Sequence, residues 1–138
     1  MLRTAFAFVA GLFAAMIAIT FIELANARLL YPPPQGMDFT DARQVEAFIA
    51  AMPTGALALL VLGWCAGAFV GGGVAARIAQ QYRTLLALAI GALVAIGVVS
   101  NATGIHHPAW VTASGVLLPI PLAWLAATLV RRFDARVG

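Results

Sequence analysis

Between Thr4 and Ala25, Thr54 and Ala76, Thr84 and Thr103, and Ala109 and Val130, the chain carries one charged side chain, Glu23. Each stretch covers about 30 Å at 1.5 Å per residue, the thickness of a bilayer's hydrocarbon core. Lipid offers no water to a free amide or carbonyl, so each stretch must satisfy its own backbone as a helix. The expected fold class is all-α: an integral membrane four-helix bundle, one transmembrane domain over 1–138 in which only the connection 26–53 is long. A composition of 63% hydrophobic and 9% charged residues excludes an ordinary soluble domain.

Arg3, the apolar run after it and Ala25-Asn26-Ala27 imitate a cleavable signal peptide. The run from Ala5 to Ile22 is 18 residues, against about 7–15 for the apolar region of a signal, which predicts a retained first helix. All eight basic residues are arginine. With four spans, Arg3, Arg77, Arg83, Arg131, Arg132 and Arg136 fall on one side and Arg28 and Arg43 on the other. That asymmetry predicts both termini in the cytoplasm. It gives the arginines an orienting task and points away from nucleic acid. Cys65 lies within an apolar run as a small packing residue.

The long connection then faces outward. Pro32, Pro33 and Pro34 fix φ and lack amide donors, which predicts a polyproline-like strut over Tyr31–Gln35, and Gly36 permits a turn. Beyond it Asp38 or Thr40 can cap a short helix in which Ala42, Val45, Ile49 and Met52, flanked by Phe48, form one apolar stripe. Such an amphipathic helix covers the mouth of the bundle or docks a partner. Pro53 suits the first turn of the second span.

An acid within a span often marks an ion path. Glu23 lies twenty residues beyond Arg3, about 30 Å along the helix, so an interfacial place near Arg28 competes with an ion or ligand contact. His106 and His107 share that outer side with Glu23, Asp38 and Asp41. Imidazole and carboxylate suit divalent metals, but the spacing matches no metal-ligand pattern, and no metal is expected. In the last span Pro119 and Pro121 deprive the carbonyls of Gly115 and Leu117 of their donors, which predicts a kink there. Ser114, Thr112 and Asn101 are candidates to satisfy freed groups. Trp110 and Trp124 suit interface positions. Nothing resembles a catalytic constellation or a phosphate-cradling loop, so neither an enzyme nor a cofactor is expected.

The remaining signal is small residues. Gly63, Gly67 and Gly71 recur every four residues and Ala75 and Ala79 continue the row, although glycine costs a helix about 1 kcal/mol relative to alanine. Ala7, Gly11 and Ala15 in the first span, and Ala87, Gly91 and Ala95 in the third, repeat the pattern. Such rows let backbones approach closely, within the chain or against a second copy. Gly72 and Gly73 leave surplus small surface for an oligomer contact.

PPPQGMD at Pro32–Asp38, GAFVGGGVAARIA at Gly67–Ala79, and Asn101 followed by HPAW at His107–Trp110 resemble, as a set, a family of small bacterial membrane proteins with four predicted helices. The likeness covers nearly the whole chain and implies no activity and no functional residues. Members often carry histidine where this sequence has Trp64, which weakens an ionisable centre in the second span. Two function classes follow. The first is helix-mediated self-association or an accessory subunit, with the lipid bilayer and a second copy or another membrane protein as partners. The alternative is a small transporter or channel component for an ion or small molecule, motivated by Glu23 and the proline-broken span.

Overall fold

The computed structural model describes residues 1–137. Four helical segments are long and apolar enough to cross a membrane, and no strand occurs among the described residues; the chain is an all-helical, multi-pass membrane protein. Helix α1 spans Leu2–Ala25 and continues through a π-helical turn, Asn26–Leu30. A short α2, Ala42–Ala50, follows the proline segment. Next come α3, Thr54–Ile78, and α4, Arg83–Gly104. The last span is divided into α5, Ala109–Leu117, and α6, Pro119–Val137.

Packing is organised around α3, which touches α1, α4, α5 and α6. Lipid gives apolar side chains little reason to leave it for one another, so helices associate where backbones fit closely. The α1 contact has that character. A Cβ added to Gly71 would lie 2.6 Å from the Gly11 carbonyl oxygen and 2.7 Å from the Ala15 Cβ. At Gly11 the added atom would lie 2.7 Å from both the Gly71 carbonyl oxygen and the Ala75 Cβ. Gly67 faces Ile19 and the Ala15 carbonyl, and Gly63 faces Ile22 at ordinary contact distance. The partner of this row is therefore α1.

The other small residues meet α6. Gly72, which the sequence leaves over as surplus surface, has the Ala123 backbone 3.1 Å from an added Cβ, and Gly73 has Ala126 at 3.7 Å. Gly91 of α4 has Ile120 Cα, the Pro119 carbonyl and Ala123 Cβ all at 3.0 Å. This corrects the expectation of a free oligomer face at Gly72, which the fourth span covers, whereas Gly73 stays half-buried beside Ala126. Outward-facing Phe6, Phe13, Ile17 and Phe21 on α1, Ile96 on α4 and Leu125 and Leu129 on α6 are exposed and present an apolar jacket to lipid.

The kink falls at Leu118 alone, whose backbone stays right-handed. Pro119 is fully buried there. Leu118 N donates to Ser114 O and Leu122 N to Leu118 O, so the chain is bonded across the interruption. Ser114, Thr112 and Asn101 do not take the part expected of them: the hydroxyls bonded to helix carbonyls among the described residues are Thr103, to Ser100, and Thr128, to Trp124. The α2 cap also differs from expectation. Asp41, not Asp38 or Thr40, is the N-cap, accepting from Arg43 N at 2.9 Å. Asp38 instead accepts from the Thr40 hydroxyl and amide, which hold its carboxyl below the ordinary range.

Polar contacts mark the two ends. Arg3 donates to the Ile78 carbonyl, and Arg77 and Arg83 both bind Asp134. At the opposite end Glu46 of α2 lies 3.0 Å from His106. The connection 26–53 and the turn at His106 thus share one face of the bundle.

Candidate functional site

Beneath α2, at the end where α1 passes into its π turn, lies a cavity of about 280 Å³. Its lid comes from the stripe read in the sequence: Val45, Phe48 and Met52 pack with buried Ile49 against Leu57, Val61 and Trp64. Ala42 is exposed and takes no part. Phe39, Tyr31 and Pro33 close one side and Ile105 another. Most of this wall is apolar, as in pockets that bind organic molecules, where a few fixed polar groups set orientation.

Those polar groups are Glu23, Asn26, Asn101 and His107. Glu23 and Asn26 are three residues apart, a spacing that places both on one helix face. Asn26 opens the π turn, whose bond runs from Tyr31 N to Asn26 O at 2.7 Å. Its side chain is only 6% exposed. Nδ2 donates to the Ala56 carbonyl at 3.0 Å, which fixes the amide's orientation. Oδ1 is left buried without a hydrogen-bond partner, alone in this among the described residues. A buried acceptor without a donor costs about 1–3 kcal/mol.

Trp64 does not line the cavity but stands beside two of these polar groups. Its indole lies beside Glu23. Its ring meets His107 edge-on, with centroids 6.3 Å apart and planes at 75°, and its other side rests on Gly115, where any Cβ would collide with it. His107 Nδ1 lies 2.9 Å from the Ile105 carbonyl. A carbonyl can only accept, so Nδ1 carries the proton and in the neutral ring Nε2 is the acceptor. Tyr31 reaches across to α3, its hydroxyl 2.8 Å from where a Gly55 Cβ would be.

The structure therefore brings Glu23 and His107 together and sends His106 outward to Glu46. Asp38 and Asp41 are engaged in the turn before α2. No group of three or more metal-ligating side chains occurs among the described residues. Arg28 is exposed, and the ion pairs among the described residues do not join it to Glu23. Asn26, in the lining, and Trp64, beside Glu23 and His107, are the residues of the site that sequence reasoning missed. The available signal was an amide three residues after the lone intramembrane acid. No family model, curated protein or solved structure matches the chain.

Proposed function

We propose that this chain is a bacterial inner-membrane protein that binds a small, amine-bearing organic molecule in the pocket beneath α2. The reading belongs with the transporter-component class of the alternatives above. The observation that carries it is the unpartnered Asn26 Oδ1, buried at the wall of a mostly apolar cavity that also holds Glu23. An apolar ligand would leave that acceptor dry, and an anion would meet Glu23. A protonated amine supplies donors to Asn26 and Glu23, while Tyr31, Phe39 and Phe48 offer aromatic faces to its apolar body. Self-association through the glycine rows has less support, because α1 and α6 occupy them.

Tryptophan emission, with Trp64 beside the pocket residues Glu23 and His107, provides the assay. In detergent, 2-phenylethylamine should give a saturable change and 2-phenylethanol, nearly the same shape without the charge, should not. Glu23→Gln should weaken the amine about tenfold, the equivalent of roughly 1.4 kcal/mol. Equal responses to amine and alcohol would mean that water satisfies Asn26 and that the pocket has no preference for amines.

The proposed orientation places α2 outside the cytoplasm, supported by the six arginines at the opposite end. In a Cys65→Ser background, Gln44→Cys should react with an impermeant maleimide in intact spheroplasts, and Ala135→Cys should not. The reverse pattern overturns the topology.

A further inference from the structure

The end of the bundle away from the pocket holds a second, more open groove of about 670 Å³ between the start of α4 and the last turns of α6. Its rim is Arg83, Arg131 and Arg132, and its lower wall includes Trp124 and Thr128. From these we infer that the groove is a binding site for the headgroup of an anionic phospholipid, with the glycerol and upper acyl chain against Trp124.

Charge is the first support. Asp134 is the acidic side chain of this end, and Arg77 and Arg83 already share it, Arg83 Nη1 at 2.6 Å from Oδ2. Arg83 also spends Nε on the Ala79 carbonyl at 2.8 Å. Arg131 and Arg132 make no hydrogen bond or ion pair with the described residues, so two uncommitted guanidinium groups border the groove. A guanidinium matches two phosphate oxygens at once, and basic recesses between helices at a membrane face suit anionic headgroups.

Geometry favours a lipid over free phosphate. Trp124 is half exposed, and an amphipathic indole settles at the headgroup level. Arg131 and Arg132 lie seven and eight residues beyond it, about 10–12 Å along the helix. A phosphate held at the rim puts the first carbons of its acyl chains at that depth. A soluble anion would use the rim and leave the wall below it empty.

The test uses the full chain with Trp110→Phe, which leaves Trp124 and the buried Trp64 as emitters. It is placed in phosphatidylcholine vesicles containing a minor fraction of a lipid brominated high on its acyl chains. Brominated phosphatidylglycerol should quench about twofold more than brominated phosphatidylcholine at the same fraction, as expected if the anionic lipid is enriched beside Trp124. Arg131→Gln with Arg132→Gln should erase the excess. Arg3→Gln with Arg136→Gln removes the same charge from the same end outside the groove and should preserve it. Inorganic phosphate in the buffer should leave it unchanged. Equal quenching by the two lipids in the parent overturns the site. So does an equal loss in both double variants, which would mean diffuse attraction, or displacement by phosphate, which would mean a soluble anion. None of these outcomes bears on amine binding at the other end.

Discussion

Gly71→Leu should lower stability by about 3 kcal/mol or more, the upper range for forcing volume into a packed interior. The atoms in the way belong to backbone and to Ala15, and neither can swing aside: the Gly11 carbonyl oxygen is 2.6 Å from the first carbon added. The helices must separate, and contact is lost along the whole α1–α3 seam. Gly67→Leu should cost less, because its closest neighbour is the Ile19 side chain, which can change rotamer. Gly97→Ala is the control. Nothing lies within 4 Å of its added Cβ, so it should be neutral or gain up to about 1 kcal/mol of helix propensity. Steric trapping in one detergent would rank the three. If Gly71→Leu matched the parent, close backbone approach would not be what holds α1.

Trp64→Ala should cost about 3–5 kcal/mol, as large aromatic truncations in cores do. The indole fills the space between Gly115 and His107 and joins the cluster that includes Val98, Val111 and the α2 residue Ile49. Its removal leaves the lid docked over a void, so the loss should include both global stability and phenylethylamine binding. Trp64→Phe retains most of the ring volume but not the indole N–H, and should recover stability more fully than binding. Thermal unfolding and ligand titration on the same samples separate the two. Trp64→Ala within about 1 kcal/mol of the parent would place the core elsewhere.

The four spans were legible because lipid leaves a backbone only one local solution, and that constraint reads directly as hydrophobic length. The stripe of α2 was legible for the same kind of reason, since Val45, Ile49 and Met52 must leave water together. The partners of the small rows were not. Gly63, Gly72 and Gly91 share a chemistry that suits any close neighbour, and only the assembled bundle assigns the first to α1 and the other two to α6. The pocket was half legible. Glu23 and His107 carry charge or a titratable ring and attract notice by type. Asn26 and Trp64 matter through where they are held: the amide by a bond to Ala56, the indole by a glycine that makes room for it. Nothing in a linear reading announces a missing hydrogen bond.

The π turn at Asn26–Leu30 fixes a count. Five residues carry the chain from Asn26, bonded to Ala56, to Tyr31, whose amide closes the wide turn on the Asn26 carbonyl and whose hydroxyl stands over Gly55. Remove one residue and everything beyond turns by about 100° around the helix axis, so Asn26 and Tyr31 can no longer both reach α3. Past Tyr31 the chain is held by prolines and a turn with no such double anchorage, until Asp41 starts α2. Length changes in this connection should therefore be accepted more readily between Pro32 and Thr40, where they disturb only the Pro33 and Phe39 wall of the pocket, than between Asn26 and Tyr31. The same loop is elastic over one half of its length and quantised over the other.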